Sequence, residues 1–183
     1  MTSIFAISTV ASLLTAITLG CGSPQDAELN SASLTKQNAP TTCSIKTGNG
    51  RYVTAVGGGG RVNNVLHTDA TQVQAWEKFT LVDLGLGTPN ITYGIKTKTG
   101  HFLTAVGGGG RITDVIHSNA TQALGWEQFQ LISVGGGEFA IQTLNGRYLT
   151  ATGAGGQVND AIHSDATQIQ AWEKFRFNCG LSN

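Results

Sequence analysis

A Trp-Glu pair occurs three times in this sequence, as Trp76-Glu77, Trp126-Glu127 and Trp172-Glu173. An indole offers a flat apolar face on which the C–H face of a sugar ring can stack. A neighbouring carboxylate can accept charge-assisted hydrogen bonds from hydroxyl groups. An aromatic platform with a few polar groups beside it is typical of small-molecule sites. The pairs therefore predict one ligand-binding site per copy. The alternative is structural, with Trp covering one end of the core and Glu accepting bonds from backbone amides.

Two further polar positions recur in each copy. Asn64, Asp114 and Asp160 follow a glycine tract, and we expect them to close the pocket beside each Trp-Glu pair. A histidine follows three residues later, as His67, His117 and His163. We interpret it as a structural imidazole bonded to the backbone of a loop. Metal binding is not expected, because histidines in separate copies would lie far apart and each would need its own ligand set. No cofactor is predicted.

The pairs belong to a longer repeat that is written three times. The tryptophans are 50 and 46 residues apart in the printed sequence, and self-similarity at such a period indicates a repeat architecture. Short alternating runs separated by Gly-containing turns predict four strands per copy. The third strand is expected over 61–66, 111–116 and 157–162, with a loop beginning at the histidine. The fourth is expected from the Trp onward. Because Glu77 shares strand parity with the apolar Phe79, that strand must begin after Glu77 or bulge there.

Twelve strands in a closed threefold arrangement predict an all-β protein with a β-trefoil fold. The repeats are placed at 43–92, 93–138 and 139–179, within a domain spanning 43–183. Three copies are too few for a propeller, which has at least about four blades. The expected core consists of apolar residues that recur at matching positions: Ile45, Ile95, Ile141, Val53, Leu103, Leu149, Phe79, Phe129, Phe175, Leu81, Leu131 and Phe177.

The string G-x-[YF]-[VL]-T-A, a glycine tract and then W-E-x-F resembles the fascin-type β-trefoil repeat, over the whole of 43–179. Trefoils of this type are similar to two functional groups. One comprises cytoplasmic actin-bundling proteins with several trefoils in tandem. The other comprises bacterial carbohydrate-binding modules and lectins, in which a Trp-Glu pair per repeat is implicated in holding sugar. The resemblance implies a multivalent glycan-binding protein. The alternative is a protein-binding module of the actin-crosslinking type.

Charge and composition argue against other classes of function. The chain has 11 basic and 11 acidic residues and no net charge, whereas a nucleic-acid binder normally shows a basic excess. We therefore expect no nucleic-acid partner. Every acid beside an aromatic is present in triplicate, while catalysis usually needs one asymmetric constellation. The sequence predicts a binding protein that is not an enzyme, and we expect a monomer.

The N-terminal region predicts export. Residues 1–20 carry no charge and are followed by Cys21, which is typical of a signal peptide. The string "TLGCGS" resembles a lipobox. We expect Cys21 to be the lipidation site and the lipid to be the only attachment to a membrane. The alternatives are plain secretion and an uncleaved anchor. The polar stretch 21–42 is expected to be a flexible linker. Cys43 and Cys179 bracket the repeats, and an oxidising compartment would permit a disulfide between them; the alternative is two free thiols. The expected location is the bacterial cell envelope or the medium.

Overall fold

The computed structural model describes residues 39–86 and 91–182, which contain twelve β-strands. Short 3₁₀ turns at Val56–Gly58, Val106–Gly108, Gly125–Glu127 and Thr152–Ala154 connect some of them. The strands are β1 (Thr41–Lys46), β2 (Tyr52–Ala55), β3 (Leu66–Ala70), β4 (Phe79–Asp83), β5 (Thr92–Lys96), β6 (Phe102–Ala105), β7 (Ile116–Ala120), β8 (Phe129–Gly135), β9 (Glu138–Gln142), β10 (Tyr148–Ala151), β11 (Ile162–Ala166) and β12 (Phe175–Cys179).

Six of the strands form a closed antiparallel barrel. Strand β1 pairs with β4, β4 with β5, β5 with β8, β8 with β9, β9 with β12, and β12 again with β1. Closure leaves this layer without an unpaired edge, and side chains alternate between the interior and the outer surface. The expected all-β architecture with twelve strands is confirmed.

The interior is filled by the apolar residues that recur along the sequence. Phe79, Phe129 and Phe175 are completely or almost completely buried, as are the recurring Ile, Val and Leu residues of the first two strands of each copy. Leu81 is buried, while Leu131 and Phe177 pack against the cluster from partly exposed positions. The predicted core is therefore confirmed.

The other six strands form three hairpins, β2–β3, β6–β7 and β10–β11, and each hairpin is bonded to the next copy. The amide of Gly60 donates to the carbonyl of Ser118, and the amide of Ser118 donates to the carbonyl of Arg61. The same two bonds join Gly110 and Arg111 to Ser164. They also join Gly156 and Gln157 to Thr68, back in the first copy. The three hairpins are thereby linked in a closed cycle.

The glycine tracts allow a close approach between copies. A Cβ built on Gly59 would overlap the Thr97 side chain, and Gly109 and Gly155 stand in the same relation to Thr143 and Thr47. The φ of Gly59 is 108°, a region that L-residues with a side chain rarely occupy. Glycine is required here for both reasons.

The predicted third strand is wrong in its position. Strand β3 begins at Leu66 and includes His67, and the stretch 61–65 is a turn. The physical reason is the backbone at Asn64, Asp114 and Asp160, which has a φ of 48°, 49° and 51°. Asn and Asp tolerate this left-handed conformation, which no continuous strand can contain. The loop expected after His67 begins instead after Ala70.

The predicted fourth strand also begins later than the tryptophan. Strands β4, β8 and β12 start at Phe79, Phe129 and Phe175, two residues after each Glu. This confirms that the strand cannot include the carboxylate. The first strand of each copy begins at Thr41, Thr92 or Glu138, so it starts one or two residues before the predicted repeat boundaries.

The ends of the barrel sequence are joined covalently. Cys43 and Cys179 face each other across β1 and β12 and form a disulfide. The predicted signal peptide and Cys21 lie outside the described residues, as does the linker up to residue 38. Within 39–86 and 91–182 there is no helix with the length and apolar character needed to span a membrane.

Candidate ligand-binding surface

The three tryptophans occupy matching positions on the outer surface. Trp76, Trp126 and Trp172 are 49%, 49% and 48% exposed, although Trp is one of the most apolar side chains. The indole of Trp76 lies against the glycine turn, since a Cβ on Gly58 would be 3.5 Å from its Cδ1 atom. The expectation that Trp lies at least partly outside the core is therefore confirmed.

The neighbouring glutamates are buried and bonded within the protein. Each is 6% exposed. Oε1 of Glu77 accepts a bond from the Thr54 hydroxyl at 2.7 Å, and Oε2 accepts one from the Gln74 amide at 2.8 Å. Matching bonds join Glu127 to Thr104 and the Leu124 amide, at 2.6 and 2.9 Å, and Glu173 to Thr150 and the Gln170 amide, both at 2.8 Å.

These contacts assign the structural role to the carboxylate and leave the indole at the surface. A buried charge is tolerated only when it is paired or hydrogen-bonded, and here both carboxylate oxygens are bonded to the loop or to a strand. Their low exposure leaves little room for sugar hydroxyls, which corrects the predicted direct contact with Glu77, Glu127 and Glu173. The glutamate instead holds the segment that displays the tryptophan.

A shallow depression adjoins the first tryptophan. It has a volume of about 140 Å³ and is lined by Gln74, Ala75, Trp76 and Glu77. The residue matching Gln74 is Gln170 in the third copy but Leu124 in the second. The three surfaces therefore share the indole, and the second lacks the glutamine that stands beside it in the other two.

Asn64, Asp114 and Asp160 lie in a different place from the one predicted. They line a cavity of about 360 Å³ where the β2–β3, β6–β7 and β10–β11 turns meet, and no tryptophan lines it. Their side-chain oxygens lie 2.7, 2.7 and 3.0 Å from Nε2 of His67, His117 and His163. The histidines thus contact these side chains and not the loop backbone as expected. Because the turn conformation directs the chain across the hairpin end, the structure does not bring these residues to the tryptophans.

Two cavities on the outer face of the barrel were not predicted from the sequence. One, of about 230 Å³, is lined by Lys46, Lys174, Arg176 and Glu138 together with the turn of Thr47, Gly48 and Gly50. The other, of about 100 Å³, occupies the matching place between the second and third copies and is lined by Gln142, Gln128, Gln130 and Thr92 together with Thr143, Leu144 and Gly146. The aligned copies differ by Lys-to-Gln and Arg-to-Gln changes at the positions that line these cavities. The changes could not be interpreted from the sequence, because only strand pairing shows that the positions lie together.

No group of three or more His, Cys, Asp or Glu side chains is placed to hold a metal ion within 39–86 and 91–182. The pKa of Tyr93 is raised by burial and, secondarily, by the nearby Asp83 carboxylate. Tyr93 packs against the core and lines none of the cavities described above.

Similarity to known proteins is found in structure and not in sequence. No family model matches the chain, and no curated protein matches it. The designed threefold-symmetric protein ThreeFoil superposes with a TM-score of 0.62 at 13% identity, covering 74% of this chain and 96% of that one. The Rhizoctonia solani agglutinin gives 0.59 at 16% identity, with 76% and 94% covered. SeviL, solved bound to asialo-GM1 saccharide, gives 0.54 at 13% identity, with 76% and 98% covered.

At these identities the likeness concerns the fold alone. These three neighbours superpose on this chain over nearly their whole length. The fold predicted from the three repeats is therefore confirmed, and this chain is a β-trefoil protein.

Proposed function

We propose that this protein binds glycans through its three exposed tryptophans, as a lectin-like protein without catalytic activity. The observation that carries the proposal is that each indole is about half exposed and is held in place by a buried Glu–Thr pair. A large apolar ring exposed three times, each time on a segment fixed by one buried carboxylate, is a costly feature for a surface with no ligand.

The indole face supplies an apolar platform, and side-chain amides beside it can supply hydrogen bonds. Gln74 and Gln170 stand next to the tryptophan in the first and third copies. The structural neighbours include an agglutinin and a protein solved with a saccharide, which agrees with this chemistry. Both support the proposal only through the shared fold.

Three platforms on one barrel make the protein multivalent. A site with a millimolar Kd is worth only about 4 kcal/mol, but linked sites can raise the avidity by roughly 10²–10⁴ where the geometry lets them engage together. Platforms that belong to three different copies face different directions, and so suit the crosslinking of separate glycan chains.

The proposed location is outside the cytoplasm, either secreted or anchored to the cell envelope through Cys21. The Cys43–Cys179 disulfide supports an oxidising compartment, and the uncharged segment 1–20 supports export. Mass spectrometry of the mature chain would test this. A diacylglyceryl-modified Cys21 as the first residue is the expected result, and an intact Met1 in mature protein would contradict cleavage and lipidation at Cys21.

A glycan array probed with the full chain tests the proposed function. Replacing Trp76, Trp126 and Trp172 together by Ala is expected to abolish retention, since each platform is removed. The corresponding Trp→Phe variant keeps an aromatic face and is expected to retain part of it. Circular dichroism should show an unchanged fold in both, because the rings contribute little to the core.

A matched control removes three other exposed apolar side chains. Val62, Ile112 and Val158 are exposed at the mouth of the hairpin cavity, and their replacement by Ala is expected to leave retention unchanged. Undiminished retention of the Trp→Ala variant would contradict the proposal. Loss of retention in the control instead would move the site to the hairpin cavity.

A further inference from the structure

We infer that the third of the three tryptophan surfaces, at Trp172, prefers glycans that carry an acidic substituent, a sulfate or a uronic carboxylate. This inference rests on the proposed glycan binding and assigns a ligand class to one of its sites. The anion is received by the basic cavity, which we define as the cavity lined by Lys46, Lys174, Arg176 and Glu138.

The basic cavity concentrates positive charge on a chain that has none overall. Three cations and one carboxylate line it. Nε of Arg176 is paired with Oε1 of Glu138 at 3.1 Å. Lys46 Nζ lies 5.3 Å from the centre of the Tyr52 ring, and Lys174 forms no ion pair with any residue the structure describes. The cavity therefore carries two cations that no protein carboxylate neutralises.

The arrangement is unfavourable for the free protein. Lys46 and Arg176 stand directly opposite each other in the β1–β12 pair, and like charges at opposed positions of a sheet destabilise it. Fold stability alone does not explain this pair, because the fold accepts neutral residues at the same positions. Where the second copy meets the third, the matching pair is Gln130 and Gln142, also directly opposed.

The basic cavity lies between the third copy and the first, and it adjoins the tryptophan surface of the third copy. A Cβ built on Gly48, which lines the cavity, would lie 3.4 Å from the carbonyl oxygen of Ala171, the residue before Trp172. The neutral cavity, between the second and third copies, is lined by Leu144, whose Cδ2 lies 3.3 Å from a Cβ built on Gly125, the residue before Trp126. A sugar stacked on Trp172 can thus extend a substituent toward Lys174 and Lys46, whereas one stacked on Trp126 meets only amides. At the first surface the matching lysines are Lys78, whose Nζ donates to the carbonyl of Ser182, and Lys96, which is opposite Thr80 and not an arginine.

The ligand must therefore be an anion carried on a sugar. Lysine ammonium and arginine guanidinium groups bind sulfate and carboxylate oxygens by charge-assisted hydrogen bonds. The cavity volume of about 230 Å³ suits one such substituent. Free inorganic sulfate shares this chemistry but gains nothing from the indole.

The experiment compares neutral and acidic forms of the same sugars. Binding of the full chain to lactose and 3′-sulfated lactose, and to dextran and dextran sulfate, is measured by titration calorimetry at two salt concentrations, with sodium sulfate alone as a separate arm. The sulfated forms are expected to bind about fivefold or more tightly than the neutral forms. This preference should shrink at high salt, since exposed charges are screened. Sodium sulfate alone should not bind in the same concentration range.

The diagnostic variant is Lys46→Gln with Lys174→Gln. It keeps the Arg176–Glu138 pair and installs glutamine, the residue found at the matching positions Gln142 and Gln128 of the neutral cavity. It is expected to lose the preference for sulfated ligands, to keep its affinity for neutral ones, and to be at least as stable as the parent. The control Arg61→Gln with Arg111→Gln removes the same charge at positions where the third copy carries Gln157, and it should keep the preference.

Equal binding of neutral and sulfated sugars by the parent would overturn the inference and leave the proposed function standing. A preference that survives Trp172→Ala would also overturn it, because the anion would then bind without a stacked sugar. Equal losses in the diagnostic variant and in the control would reduce the effect to net charge and overturn it as well. Failure of the proposed function itself is seen separately, as glycan retention that does not depend on any tryptophan.

Discussion

At the scale of single residues, the Trp-Glu pair divides into two roles. The indole is offered to the solvent, and the adjacent carboxylate is withdrawn to bind a threonine hydroxyl and a backbone amide. The sequence showed that the two residues act together but not in which direction each one points. Trp and Glu can each lie at the surface or be buried, so the sequence alone does not assign their positions. The hydrogen bond from Thr54, 23 residues before Glu77, holds the carboxylate inside.

The first residue-scale prediction concerns the buried carboxylate. Replacing Glu173 by Gln keeps the shape of the side chain but turns its NH₂ group toward one of the two donors that Glu173 accepts from, the Thr150 hydroxyl or the Gln170 amide. We expect the free energy of unfolding to fall by about 1–3 kcal/mol. Urea denaturation followed by circular dichroism measures it. The control is Glu138→Gln, whose carboxylate is paired at the surface with Arg176 and should cost less than about 1 kcal/mol. Equal losses in the two variants would contradict the structural role.

A second prediction concerns the glycine tract. Gly59→Ala adds a Cβ that overlaps Thr97 in a left-handed region, so strain and overpacking should together cost roughly 2–5 kcal/mol. Gly100→Ala is the matched control, since Gly100 also has a positive φ but has nothing within 4 Å of the added atom. Its cost should be only about 1–2 kcal/mol. Thermal denaturation of both variants distinguishes crowding from backbone strain alone.

At the scale of elements, the hairpins hold the copies together. Each hairpin exchanges backbone bonds with the third strand of the next copy, and the last returns to the first. No copy can leave this cycle without breaking bonds on both of its sides. Cooperative unfolding of the whole domain is the physical consequence.

Hydrogen exchange tests this cooperativity. The amides of Thr68, Ser118 and Ser164 each donate across a boundary between copies, and we expect all three to exchange only through global unfolding, at one common free energy. The control is the amide of Gly85, which donates to the exposed carboxylate of its near neighbour Asp83 and should exchange much faster. Three different free energies at the boundary amides would indicate that the copies open independently.

The elements were predictable to different degrees, for identifiable reasons. Alternating apolar residues placed the barrel strands and the core, because burial on one face leaves a period of two in the sequence. The start of β4 followed from the parity of Glu77 and Phe79. The start of β3 did not follow, since "RVNNVL" alternates like a strand and only the left-handed Asn64 interrupts it. The partner of each histidine was missed for the same reason, as Asn64 and His67 meet only when that turn forms.

At the scale of the whole molecule, one covalent bond joins the two ends of the barrel. Cys43 and Cys179 are separated by 136 positions and close a loop that contains almost the entire domain. A constraint on so long a loop removes much of the entropy of the unfolded chain. The cysteines bracketing the repeats predicted the bond, and closure of the barrel explains why they meet.

Replacing Cys43 and Cys179 by Ser is therefore expected to lower the free energy of unfolding by about 2–5 kcal/mol. Denaturation in urea, with and without reductant, measures the effect. The parent should become as unstable as the variant under reductant, and the variant should not respond to reductant at all. A parent that is insensitive to reductant would contradict a stabilising bond.

The cyclic linkage of the hairpins has a consequence for how such a protein can diversify. Each hairpin is bonded to both of the others, so no copy can be added or removed without breaking the cycle. A linear repeat array, in contrast, can gain or lose a repeat. The number of tryptophan platforms is fixed at three by geometry. Change is then confined to residues that the ring leaves free. The pair Gln130 and Gln142 at one junction between copies and the pair Arg176 and Lys46 at another show a single chain already offering chemically distinct surfaces.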